Sequence, residues 1–215
     1  MRAETELLQH HSLSQKVNTG IPRWADAMIA AAALVLAGPL ILVIGFAIAV
    51  TSGRPILFRQ RRVGRNGRVF DLYKLRTMRA FENGPQITSR DDARITRLGR
   101  VLRKAKLDEL PTLWNVLRGD MALVGPRPEV PAYVNLDNPQ WSTVLSVRPG
   151  ITDPVTIALR NEEELLASAP GDVETFYVSE LQPAKLSGYV NYLQHRTVLS
   201  DMSVLCRTVG AVIRL

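Results

Sequence analysis

The stretch AMIAAAALVLAGPLILVIGFAIAV, residues 27–50, decides how this chain meets its surroundings. It carries no charge, and none appears before Arg54. At about 1.5 Å per residue a helix of this length reaches ~36 Å, enough for a hydrocarbon core of about 30 Å. Its middle holds Gly38-Pro39. A proline removes one backbone donor and crowds the preceding turn, and the glycine beside it loosens the chain. Each half is then about 12 residues, ~18 Å long, which reaches mid-bilayer without crossing it. Basic residues flank both ends: Lys16 and Arg23 before; Arg54, Arg59, Arg61 and Arg62 after. Positive charge on both sides favours keeping both ends in the cytosol. On these grounds two arrangements stay open, a re-entrant helix–break–helix dipping into one leaflet and a kinked helix that spans. A cleavable secretory signal fits poorly, since its apolar region covers roughly 7–15 residues, although Ala47-Ile48-Ala49 imitates a cleavage site.

The 215 residues suffice for one ordinary domain. A hydrophobic content of 46% excludes a disordered polymer. The net charge of +7 is unevenly spread. From Arg54 to Lys106 sixteen Lys/Arg face four Asp/Glu, so this block alone carries +12 and leaves −5 for the remainder. A basic block directly after an apolar run suits anionic headgroups or phosphate-bearing ligands; a merely solubilising surface is the plain alternative. The lone Cys206 excludes an internal disulfide and a Cys-rich zinc site. His10, His11 and His195 are too scattered for a ligand cluster. The expected organisation is a flexible tail over residues 1–20, a membrane segment over 21–53, and a cytosolic, membrane-apposed domain over 54–215.

The expected fold class is α+β, mostly helical. PILFRQ (55–60) and RVFDLYK (68–74) read as strands joined through Asn66-Gly67, a small hairpin near the membrane surface. Residues 92–106 read as a basic helix with Ile95, Leu98 and Leu102 in a narrow apolar stripe, and residues 108–117 as a second helix ended by Gly119. Such amphipathic helices are expected to lie at the membrane interface. Residues 161–168 read as an acidic helix and 199–213 as an apolar-periodic one.

The chemistry concentrates in KLDELPTLWNVLRGDMALVGPRPE, residues 106–129. Asp108 and Glu109 are adjacent carboxylates at a predicted helix start, where free amides and the helix dipole favour phosphate. Ordinary helix punctuation, an Asp at the N-cap followed by Glu, is the competing reading. Arg103, Lys104 and Lys106 crowd the same corner, Arg127 lies between Pro126 and Pro128, and Arg148 precedes Pro-Gly. Guanidinium groups on stiff backbone suit bidentate phosphate recognition. Two carboxylates among such cations divide phosphoryl-transfer work naturally: one coordinates Mg²⁺, the other attacks phosphorus.

KLRTM (74–78), LDELP (107–111), NVLRGDM (115–121), VGPRP (124–128) and VRPGIT (147–152) follow one another in this order. The chain resembles the bacterial sugar transferases known as small monotopic phosphoglycosyl transferases, from about residue 23 to 213. The resemblance implies a transfer of sugar-1-phosphate from a UDP-sugar to undecaprenyl phosphate at the cytosolic face of the inner membrane, initiating a capsule, exopolysaccharide, O-antigen or glycoprotein glycan. It implies Asp108 as nucleophile, forming an aspartyl-phosphosugar with release of UMP, and Glu109 as Mg²⁺ ligand, with Asp201 a second candidate. It implies phosphate contacts from Lys74, Arg76, Arg103, Arg127, Arg148 and Arg160. It also favours the re-entrant arrangement, with Gly38-Pro39 standing where relatives have Ser-Pro. A second departure is ITDPVTIALRN (151–161), where only Arg160 and Asn161 match the relatives' Gly-Arg-Asn. Expected partners are the UDP-sugar, undecaprenyl phosphate and membrane lipids, with a homodimer as one arrangement. A basic membrane-associated scaffold explains the charge but not the buried-in-sequence Asp-Glu pair or Pro-Arg-Pro. Nucleic acid is not an expected partner, because no binding module is recognisable and aromatics make up only 6%.

Overall fold

The computed structural model describes residues 17–79, 87 and 92–213. Most of the tail expected over 1–20 lies outside these residues. Residues 17–20 do not behave as a free tail: the Asn18 amide donates to Leu193 O at 3.1 Å and its Nδ2 to Gln194 O at 2.7 Å. Val17 and Ile21 pack on the main core.

The apolar run forms helix α1 (Arg23–Ser52), helical without interruption through Gly38 and Pro39. The break expected there is confined to the hydrogen-bond ladder: Pro39 offers no N–H to the Val35 carbonyl, while both residues keep helical backbone. Both ends of α1 are fastened to the rest of the chain. At the first end Arg23 donates to Leu117 O at 2.6 Å, the Leu123 amide donates to Asp26 Oδ1 at 3.2 Å, and Ala30 is fully buried against Val116, Met121, Leu123 and Val124. At the other end Ile44 and Ile48 pack with Leu75 and Leu102, and Arg76 donates to Ser52 O and Gly53 O, both at 2.5 Å. No residue from 31 to 43 is buried; Val35, Leu36 and Leu42 are 77%, 82% and 76% exposed.

Strands β1 (Leu57–Val63) and β2 (Val69–Leu75) form the expected antiparallel hairpin, in register from Leu57↔Leu75 to Val63↔Val69. Its turn uses left-handed backbone at Asn66 (φ 56) and Gly67 (φ 73). Helix α2 (Arg97–Lys104) is shorter than predicted at both ends. Thr96 caps its start by accepting from the Gly99 amide at 2.9 Å, and Lys106 turns into the left-handed region (φ 55) just beyond its end. The predicted helix at 108 likewise divides. Leu107–Glu109 is a tight 3-10 turn, and α3 (Thr112–Arg118) follows, closed by Gly119 at φ 94.

The rest comprises β3 (Ala122–Val124), α4 (Pro139–Val144), β4 (Gly150–Thr152), α5 (Pro154–Ala158), α6 (Glu162–Ala167), α7 (Val173–Phe176), a π-type segment (Tyr177–Leu181), α8 (Gln182–His195) and α9 (Val198–Ile213). β3 and β4 pair in parallel, Ala122↔Gly150 and Val124↔Thr152. The main core joins α1, β2, α3, β3, α8 and α9 through Ala30, Leu72, Val116, Val124, Leu193 and Val204. A second cluster packs β1 on α4 and α8 through Val63, Trp141, Val144, Leu186 and Tyr189.

The β3–β4 pair delivers two loops side by side. The Gly125 amide donates to Thr152 O at 3.0 Å and the Gly150 amide to Pro126 O at 2.9 Å. A Cβ on Gly150 would stand 2.1 Å from the Gly125 nitrogen. Gly150→Ala must therefore push the two loops apart; it is expected to cost about 3 kcal/mol, read as lost thermal stability in detergent micelles. Unaltered stability would contradict this close approach.

Candidate active site

Lys74, near the end of β2, alternates onto the face opposite Tyr73. The clasp that fixes this register comes from α3. Asn115, fully buried, accepts from the Tyr73 amide at 3.2 Å and donates to Asp71 O at 2.7 Å, while Thr112 Oγ1 donates to Tyr73 O at 3.1 Å. Sequence reasoning passed over both polar residues, although a polar pair at i and i+3 inside an apolar helix is a readable signal. Arg127 arrives from the other side. Its loop is held by β1 as well as β4: the Val63 amide donates to Glu129 O at 2.8 Å and Arg62 Nη1 donates to Pro128 O at 2.9 Å. The stiffness expected from the flanking prolines thus has two sheet edges behind it.

Between these cations sits Glu109. Its Oε1 receives Lys74 Nζ at 2.7 Å and Arg127 Nη2 at 2.6 Å. All three side chains are mostly buried, 18%, 16% and 30% exposed for Lys74, Glu109 and Arg127. Burial alone would push the Glu109 carboxyl up, but Arg127 and then Lys74 outweigh it and hold it well below the usual range. Burial lowers the Lys74 ammonium, opposed by Glu109, and Glu109 above all raises Arg127. Glu109 is therefore a carboxylate near neutral pH, held between its two basic partners. No hydrogen bond reaches Glu109 Oε2 among the described residues.

Asp108 is different. It is 6% exposed, its Oδ1 is buried without any hydrogen-bond partner, and it caps no helix. The helix-punctuation reading fails on this geometry. Burial raises its pKa, and Lys74, Arg103 and Lys106 draw it back only in part. Two adjacent carboxylates are thus driven apart in character, one clamped and one basic and bare. The turn that achieves this hangs on Lys106, whose φ of 55 is uncommon for a residue with a Cβ. Lys74, Glu109 and Arg127 also line a concavity of about 260 Å³ with Arg62, Thr112, Leu72, Met121 and Ile151.

The family model for bacterial sugar transferases matches residues 17–215. The chain belongs to the bacterial sugar transferase family. It is 39% identical to a UDP-glucose:undecaprenyl-phosphate glucose-1-phosphate transferase of Caulobacter vibrioides over 89% of this chain and 69% of that protein. It is 41% identical to a UDP-N-acetylgalactosamine-undecaprenyl-phosphate N-acetylgalactosaminephosphotransferase of Aeromonas hydrophila, over 61% of this chain but only 32% of the relative. It is 32% identical to the exopolysaccharide production protein ExoY of Sinorhizobium fredii, over 87% of this chain and 83% of the relative.

Within this sugar transferase the other expected phosphate ligands scatter. Arg103 stands near Asp108, its Nη2 donating to Glu163 at 2.5 Å. Arg76 is spent on the end of α1. Arg148 Nε donates to Gly119 O at 3.1 Å, beside Arg23 and Arg65 rather than beside Glu109. Arg160 is exposed, and among the described residues no hydrogen bond or ion pair reaches its side chain. Asp201 belongs to another cluster. Fully buried, it is ion-paired to Arg196 at 2.8 Å, accepts from the Ile21 amide at 2.9 Å, and is hydrogen-bonded by Tyr192 Oη. Among the described residues no three acidic, His or Cys side chains are grouped to hold a metal, and Asp201 is not brought together with Asp108 and Glu109. Thr197 and Ser200, each bonding the other's amide, cap α9 in its place.

Glu109→Gln leaves Lys74 and Arg127 buried without their shared anion. It is expected to cost about 3 kcal/mol at neutral pH. A depressed carboxyl contributes stability above its unfolded pKa, about 4.3, and loses it as pH falls through the folded value. The gap between parent and variant should therefore close on acidification below about pH 4, measured by denaturant unfolding in micelles. A gap independent of pH would contradict the depressed Glu109 carboxyl.

Proposed function

We propose that this protein transfers a sugar-1-phosphate from a UDP-sugar to undecaprenyl phosphate through a phospho-Asp108 intermediate, releasing UMP, as the first membrane-bound step of a bacterial glycoconjugate. The observation that carries the reading is the bare Asp108 carboxylate beside a cation-clamped Glu109. The activities named for the Caulobacter and Aeromonas relatives support the substrate classes.

In the first step an Asp108 oxygen attacks the phosphorus that bears the sugar, and the bond to the bridging oxygen breaks with its electron pair leaving on UMP. In the second, an oxygen of undecaprenyl phosphate attacks the same phosphorus, and the bond to Asp108 breaks to restore the carboxylate. The acceptor is already ionised, so no general base is required. Burial raises the basicity of Asp108 and strengthens it as a nucleophile, while Lys74, Arg103 and Lys106 keep enough positive potential for an anion to approach. Arg127 and Lys74, preset by Glu109, face the incoming diphosphate in fixed positions.

A Mg²⁺ ion fits the donor set. Mg²⁺ binds through one or two carboxylates plus substrate phosphates, and the open Oε2 of Glu109 and the partnerless Oδ1 of Asp108 are such oxygens. When bound it neutralises diphosphate charge. The membrane reading rests on α1. A straight 30-residue helix is about 45 Å long, yet both of its ends bind the same globular body, with the exposed apolar stretch between them. This favours a re-entrant α1, bent at Pro39 into one leaflet, with residues 54–215 on the cytosolic face of the inner membrane.

Asp108→Asn should abolish the covalent sugar-phosphate adduct that intact-mass spectrometry detects when donor is supplied alone; an adduct on the variant would refute the nucleophile. In the parent, adduct formation should weaken on acidification at pH values above the ordinary aspartate value of 3.8, since only the ionised carboxylate attacks. For topology, Cys206→Ser with a single cysteine at Val17 or Gly53 should react with an impermeant maleimide from the cytosolic side at both positions. Reaction at residue 17 from the opposite side would establish a crossing.

A further inference from the structure

Helix α6 begins with Glu162-Glu163-Glu164, and it does not serve as a solvated acidic face. Glu163 Oε1 accepts from Arg103 Nη2 at 2.5 Å. Glu162 accepts from Lys185 Nζ at 2.9 and 3.1 Å, and its field also reaches Arg127. The helix is anchored by Leu166, 3% exposed, against Tyr177 and Leu181. Its first residues therefore lie along the cationic flank of the Asp108–Glu109 turn.

Arg103 lies in the last turn of α2, which packs against the Leu107–Glu109 turn, and its carbonyl accepts from the Lys106 amide at 3.1 Å, so it flanks the Asp108 carboxylate. Its guanidinium is incompletely used. Nη1 reaches only the Met78 sulfur at 3.8 Å, and Nε is buried without a partner. The one strong bond goes to Glu163, whose side chain is 40% exposed against 20% for Arg103. The exposed partner of such a pair is free to swing into water, whereas the arginine is held by its surroundings. A half-exposed carboxylate bonded to a largely buried guanidinium with a spare donor is replaceable by a phosphate oxygen of similar geometry.

We propose that Glu163 is an internal competitor for the diphosphate at Arg103: in the ligand-free protein it occupies the guanidinium, and an incoming pyrophosphate group displaces it. Glu163 then sets donor affinity without touching the reacting atoms. It also offsets the positive charge of the largely buried Arg103 in the ligand-free protein. The inference rests on the phosphoryl-transfer reading of the site, but it can be read without turnover.

The test is calorimetric titration of inorganic pyrophosphate, with Mg²⁺ present, into the full chain in detergent micelles. Glu163→Gln should bind pyrophosphate about two- to five-fold more tightly than the parent, the range expected from removing a half-exposed ion pair. Glu163→Ala should behave alike, and Glu180→Gln, which removes an exposed charge elsewhere, should leave affinity unchanged. Equal or weaker binding by Glu163→Gln would overturn the proposal and make Glu163 a support for Arg103. An equal gain in Glu180→Gln would also overturn it, by reducing the effect to net charge. Absence of pyrophosphate binding in every form would remove Arg103 as a phosphate site. Transfer is read separately as UMP release from UDP-sugars. Tightened pyrophosphate binding without such release would sink the transferase reading and leave the competition at Arg103 standing.

Discussion

One carboxylate oxygen organises the centre of this molecule. Glu109 Oε1 accepts from Lys74 on the hairpin and from Arg127 on the loop after β3, so two parts of the chain separated by some fifty residues meet on a single atom. Burying three charges is costly unless each is paired and hydrogen-bonded. The structure meets that demand with Asn115 and Thr112 clasping β2, and with β1 and β4 gripping the Pro-Arg-Pro loop. The electrostatic knot and the mechanical scaffold are therefore one device. If the clasp slackened, the salt bridges would lengthen and the desolvation cost would no longer be offset.

The same knot explains how two neighbouring carboxylates acquire opposite habits. Glu109 is saturated with positive charge; Asp108, one residue earlier, is turned away by the left-handed step at Lys106 and left with a bare oxygen. In a regular helix the two would point about 100° apart on one solvated surface. A 3-10 turn isolated between two helices gives each its own surroundings, and the strain at Lys106 is the mark of that arrangement.

Much of this was legible beforehand, for identifiable reasons. The hairpin was readable because Asn66-Gly67 names its turn, and α3's end because Gly119 is the residue that tolerates a positive φ. Asp108, Glu109, Arg103, Lys106 and Arg127 stood out as charges crowded into one stretch, while Lys74 entered only through the KLRTM motif of the resemblance. What could not be read was pairing between distant segments. β3 and β4 are three residues each and reveal themselves only through each other. Arg76 and Arg103 look alike in sequence, yet one closes the apolar helix and the other faces the carboxylate turn. Asp201 looked available because burial is not written in a sequence; Arg196 and Tyr192 already fill it. Pro39 suggested a gap where the backbone keeps its helical course.

Leu107 packs into the cluster that holds Ile44 and Ile48 of the apolar helix, and Asp108 is its immediate neighbour. The element that is soluble in hydrocarbon and the turn that bears the bare carboxylate are consequently geared together. Sliding the helix by one of its turns would displace that turn by about 5.4 Å along the same direction. With the apolar helix seated in one leaflet, as proposed, altitude above the hydrocarbon becomes a built-in dimension of the site, and an acceptor whose phosphate rides at a constant height on its lipid tail would need to search only in the plane.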